Sequence, residues 1–145
     1  MQGEPQLSAR RKARELVLKS LYAYESVSGN PDDIMKTLSE DSGLAEKPRK
    51  FAGDLFYLTI THLISIDEEI KNHTQHWDIS RLALVDKNIL RISICELLFM
   101  PDIPSKVSIN EAIELAKKYS TEESSSFVNG ILNSIFKDHK AELEA

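Results

Sequence analysis

The chain is poor in the features that usually announce a catalyst. It has one cysteine in 145 residues, Cys95, so no intramolecular disulfide can form, which suits a reducing compartment. Cys95 also lies inside an apolar run, where burial disfavours the thiolate that nucleophilic chemistry requires. The five glycines stand apart from one another, which excludes a glycine-rich phosphate loop. His73 and His76 are three residues apart, but no thiolate joins them. Their acidic neighbours are Asp67, Glu68, Glu69 and Asp78, so two surface histidines near a helix end are expected, with no metal and no cofactor assigned. No apolar run reaches the roughly 20 residues of a membrane-spanning helix, and no basic-then-apolar leader opens the sequence. A cytoplasmic protein without enzymatic activity is expected.

What the chain has is helical periodicity. From Asp86 to Ile135 three helical runs are separated by two punctuation points. In the first, Val85, Ile89, Ile92 and Phe99 fall along one side and Leu90, Ile94, Leu97 and Leu98 along another. A helix apolar nearly all round is a buried one, here the central rod of a bundle. Arg91 and Glu96 lie on that rod, so each needs a polar partner in the fold. Pro101 and Pro104 stop the rod. Ser108-x-x-Glu111 then reads as a capping box opening a helix to Tyr119, with Ile109, Ala112, Ile113 and Ala116 inward. In the last helix Val128, Ile131, Leu132 and Ile135 form the stripe. Phe127 stands at its edge, and Gly130 is expected at a close packing contact.

Nearer the start, residues 1–7 read as a flexible arm, and Ser8 as the N-cap of a helix running to about Ser26. Its apolar stripe is Ala13, Leu16, Val17, Ser20, Leu21 and Tyr24. At 100° per residue, Arg11, Leu18 and Tyr22 point away from that stripe, with Arg10 and Arg14 on one shoulder and Lys12 and Lys19 towards the other. Asn30 and Pro31 open a second helix at a cap and first-turn position. Residues 48–76 read as one long helix, or as two if Ser65-x-x-Glu68 is a capping box, and 77–84 as a linker with a short helical turn. The expected architecture is all-α, a bundle of about seven helices in one domain over residues 8–140, with residues 141–145 frayed.

The charge is unevenly spread. The whole chain carries −5, yet residues 1–19 hold five cations against two acids, a net +3, so the remainder carries −8. A basic end on an acidic body, with a tyrosine among the cations, is what a single-stranded RNA site needs: charge for phosphates and a ring for stacking an unpaired base.

Four phrases resemble the NusB family of bacterial transcription antitermination factors: Arg10-Arg-Lys-Ala-Arg-Glu with Leu21-Tyr22 following, Asn88-Ile-Leu-Arg-Ile with Glu96-Leu, Ile109-Asn-Glu-Ala-Ile-Glu-Leu-Ala-Lys, and Phe127-Val-Asn-Gly-Ile-Leu. The resemblance implies an all-helical fold that binds the single-stranded boxA element of ribosomal RNA leaders. It implies as partners the ribosomal small-subunit protein NusE and the RNA polymerase antitermination complex. Carried over by position, RNA binding falls on Arg10, Arg11, Lys12, Arg14, Tyr22 and Phe127, with acidic positions at Asp86 and Glu123 on an RNA or partner edge; the helical spacing of the first helix adds Lys19 to the RNA-binding set and Leu18 to that edge. The match is weakest over residues 26–84, where the partner surface is left open. Either a monomer or a homodimer fits. Two rival readings are a helical protein–protein adaptor using Leu18 and Tyr22, and a relative of the RNA-recognition domain of a ribosomal RNA cytosine methyltransferase.

Overall fold

The computed structural model describes residues 3–27, 29–74 and 82–143, and the side chains of residues 8–27 within the first of these spans. Among the described residues there are eight helices and no strand: α1 Gly3–Val27, α2 Pro31–Asp41, α3 Glu46–Thr61, α4 Leu63–Asn72, α5 Leu84–Phe99, α6 Ser105–Tyr119, α7 Glu122–Asp138 and α8 Lys140–Leu143. None is long and apolar enough to cross a membrane. The chain divides into two compact units, residues 1–57 and 58–145.

In the first unit α1 packs against α2. The core holds Ala13, Leu16, Val17, Leu18 and Leu21 from α1, Met35 from α2, and Ala52, Leu55 and Phe56 from α3. Ser20 sits in the apolar stripe at no polar cost, because its Oγ donates to the Leu16 carbonyl at 2.8 Å. Asn30 caps α2 as its sequence indicates, accepting from the N–H groups of Asp32 and Asp33, with Pro31 in the first turn. Gly43 follows the end of α2 with φ +71°, the left-handed conformation that glycine adopts without a Cβ penalty.

In the second unit α5 is the buried rod. Its side chains from Asn88 to Leu97 are all covered, and α4, α6 and α7 pack against it. Both charged residues on the rod have partners. Arg91 donates through Nε and Nη2 to the two oxygens of Asp67, each at 2.8 Å, and through Nη1 to Asn88 Oδ1 at 3.0 Å. Glu96 accepts from Ser108 Oγ at 2.8 Å. A planar guanidinium on a carboxylate is the geometry in which a buried pair recovers its desolvation.

Several boundaries differ from expectation. α1 begins at Gly3, five residues before Ser8, and Pro5 falls in its first turn, where proline is tolerated because the N–H it lacks would have had no intrahelical partner. The long run over residues 48–76 divides at His62, whose backbone leaves the helical region (φ −105°, ψ 20°). The ladder continues on both sides, His62 N–H to the Leu58 carbonyl and Ile66 N–H to the His62 carbonyl, so this is a kink. Ser65 Oγ donates to the His62 carbonyl there, a local bond of the kind that bends helices. Ser108 and Glu111 do not cap α6. The helix starts three residues earlier, after Pro104, and both side chains are buried inside it. At the C-terminal end α7 runs to Asp138 and the short α8 covers Lys140–Leu143. The linker over 77–84 lies outside the described residues up to 81, as does His76.

Candidate nucleic-acid interface

Helix α1 carries the basic cluster, and its cations fall into three environments. Arg11, Lys12 and Lys19 are exposed. Lys12 and Lys19 line an open cleft of about 330 Å³ with Glu15, Leu16, Leu38, Asp41 and Ser42, between α1 and the C-terminal end of α2. Arg10 and Arg14 turn the other way, onto the ring of Phe51 in α3, with their Cζ atoms 4.6 and 5.3 Å from its centroid. Arg10 stays partly exposed, whereas Arg14 is buried, 1% exposed. Tyr22 is 50% exposed, an uncommon placement for so large a ring.

Two predicted positions are corrected here. Leu18, expected to point outward with Arg11 and Tyr22, is only 5% exposed. Arg14, expected on an open shoulder, is covered. A helical wheel assigns one apolar side, but α1 is enclosed over a wider arc than its stripe. The open part of the basic face therefore consists of Arg11, Lys12, Lys19 and Tyr22, with Arg10 at its margin.

In the second unit the structure brings Asp86, Glu123 and Phe127 together around one open cleft of about 330 Å³, completed by Leu82, Ala83, Thr121 and Ser124. The N-terminus of α7 forms one wall. Thr121 caps it, its side chain accepting from the Ser124 N–H at 3.0 Å. Ser124 Oγ donates to Asp86 Oδ2 at 2.8 Å and accepts from Ser120 Oγ at 2.9 Å, a hydroxyl chain that holds the carboxylate in place. The other oxygen of Asp86 is buried with no hydrogen bond. Phe127 is half-buried at the edge of the α7 stripe, and the residues of that stripe, Val128, Ile131, Leu132 and Ile135, carry the packing. A carboxylate cannot attract a phosphate. Its place in an RNA site is beside a base, accepting from an exocyclic amine or ring N–H while an aromatic ring stacks.

Sequence reasoning missed Phe51 and Ser124. Phe51 reads as one more member of the α3 stripe, and Ser124 as one of three consecutive serines; nothing in their spacing distinguishes them.

Among the described residues the remaining titratable groups form no reactive centre. Burial pushes the Cys95 thiol up to about 11. His73 is not the surface residue expected. Its side chain is 8% exposed, with Nδ1 2.7 Å from Ser134 Oγ and Nε2 3.0 Å from Asp138 Oδ2. Among the described residues no group of three or more His, Cys, Asp or Glu side chains is arranged to hold a metal ion.

The NusB family model matches residues 11–137. Over 134 residues the chain is 42% identical to the transcription antitermination protein NusB of Chloroherpeton thalassium, covering 92% of this chain and 64% of that longer protein. It is 44% identical over 129 residues to the protein of the same name from Trichlorobacter lovleyi, covering 89% of this chain and 91% of that one. Among solved structures, NusB of T. maritima superposes with a TM-score of 0.85 at 37% identity, covering 94% of this chain and 97% of that chain. A crystal structure of the antitermination factors NusB and NusE in complex with dsRNA superposes with a TM-score of 0.83 at 30% identity, covering 90% and 98%.

Proposed function

The chain belongs to the NusB family, and on that premise we propose that it is an antitermination factor that binds the single-stranded boxA element of ribosomal RNA leaders. It does so together with the ribosomal small-subunit protein NusE, as part of the RNA polymerase complex that reads through terminators. The observation that carries this reading is the exposed half of Tyr22 on the same helix that presents Arg11, Lys12 and Lys19 to solvent. Cations spaced along one helix with a flat ring among them suit a backbone of phosphates whose bases are unpaired.

The cleft around Phe127 supplies the complementary chemistry. Phe127 offers a ring for stacking a base, and Asp86 and Glu123 line the same cleft as acceptors, which is chemistry suited to discriminating bases. The protein–protein adaptor reading loses one of its two contact residues, because Leu18 is buried.

The test is a titration of fluorescent boxA-type RNA, single-stranded and duplex, with and without the purified ribosomal protein. Single-stranded RNA binds, Tyr22→Ala weakens it by a stacking contribution of about 1–3 kcal/mol, and the ribosomal protein tightens it further. Equal affinity for duplex and single strand, or no dependence on Tyr22, would sink the proposal.

A further inference from the structure

Two guanidiniums of α1 share one aromatic ring. Arg10 and Arg14 are one helical turn apart, a spacing at which like charges repel. The negative face of the Phe51 ring, 4.6 Å from Arg10 Cζ and 5.3 Å from Arg14 Cζ, offsets that repulsion. Arginine suits the arrangement because its cation is planar and weakly hydrated. The two arginines are not equivalent. Arg14 is enclosed, whereas Arg10 keeps a partly open surface. Phe51 is itself half-buried on α3, next to the covered Ala52 and one turn from the covered Leu55 and Phe56, so the ring sits on a packed support.

We infer that Phe51 is a positioning residue for RNA binding: its ring seats the Arg10 guanidinium so that the open N–H edge meets a backbone phosphate of single-stranded RNA. A long arginine side chain ordinarily loses its rotamer freedom when it grips a phosphate. Arg10 has lost much of it already, against a ring that leaves the in-plane N–H donors available for a two-pronged contact. Arg14, buried, holds the second guanidinium against the same ring. This inference rests on the RNA-binding reading above.

The experiment is a double-mutant cycle on the full chain with a short single-stranded boxA-type RNA. Phe51→Met removes the ring face and keeps apolar bulk, and Arg10→Ala removes the cation. Each weakens RNA binding about two- to fivefold, and the double variant binds no more weakly than Arg10→Ala alone. Both single variants flatten the dependence of affinity on salt to the same degree. Losses that multiply, or an unchanged salt slope in Phe51→Met, overturn the inference and leave the RNA-binding reading standing. A wild-type chain that binds no single-stranded RNA removes both. If Phe51→Met does not fold, NMR of the wild type decides: ring-current shifts on the Arg10 δ-protons persist in the RNA complex. Their return to random-coil values on RNA binding would mean that the guanidinium leaves the ring to reach its phosphate.

Discussion

At position 130 a Cβ added to the glycine meets nothing within 4 Å, so the close packing expected of Gly130 is not there. An open glycine inside α7 only adds freedom to the unfolded chain. Gly130→Ala is expected to stabilise the fold by about 0.5–1 kcal/mol, read by chemical denaturation. A lower stability would mean that the site is crowded after all. Phe127→Ala is expected to leave the fold intact by circular dichroism and to cost about 1–3 kcal/mol in RNA binding. If the variant unfolds, the ring is core and the stacking role fails. Leu18 behaves oppositely. Its burial predicts a loss of about 2–5 kcal/mol of stability for Leu18→Ala. These residues mark the limit of sequence reading. The side of α1 that holds Ala13, Leu16 and Leu21 was legible from spacing alone. That Leu18 and Arg14 are also covered depends on how many elements surround the helix, and a single helix's periodicity does not contain that number.

Elements were legible where local chemistry acts alone. The Asn30–Pro31 start of α2 and the all-round apolar α5 follow from neighbouring residues and are seen. Ser108-x-x-Glu111 has the pattern of a capping box, but the Glu96 carboxylate on α5 takes the serine hydroxyl into the core, a contact between residues twelve apart. The end of α7 is another long-range case. His139 faces carboxylates through both ring nitrogens: Nε2 is 2.9 Å from Glu69 Oε1 on α4 and Nδ1 3.4 Å from Glu142 Oε2 on α8. Its neighbour Asp138 meets His73, which also approaches the second oxygen of Glu69 at 3.7 Å. A neutral imidazole has one N–H and cannot donate to both carboxylates. Burial alone would lower the pKa of His139, but its hydrogen bonds to Glu142 and Glu69 outweigh burial, and the net shift is upward from 6.5. A raised folded-state pKa adds stability that is fully present below the unfolded value and is lost as pH rises through the folded value. The melting-temperature gap between wild type and His139→Gln should therefore be widest below pH about 6.5 and narrow above it. A gap that widens with rising pH would contradict the pairing of His139 with Glu69 and Glu142.

Over the whole molecule the net charge of −5 opposes RNA, and binding depends on where the cations lie. Taking three of Arg10, Arg11, Lys12 and Lys19 as phosphate contacts on a single strand, the slope of log affinity against log salt is about −2. Raising salt fourfold then weakens binding roughly fifteenfold, a shallow response for a nucleic-acid binder. A steep slope, near −6, would require contacts that the exposed cations of α1 cannot supply, and would move the site elsewhere on the chain. A shallow slope has a functional consequence. With few phosphates neutralised and an acidic remainder repelling the rest, the protein alone holds RNA weakly, so a second protein that adds contacts multiplies its affinity, and RNA in turn multiplies the affinity for that protein by the same factor. Measuring both enhancements, RNA with the ribosomal protein present and the ribosomal protein with RNA present, checks the argument directly. Two enhancements that match bind the weak site and its partner into one cycle. No enhancement in either direction would leave the basic face to act alone.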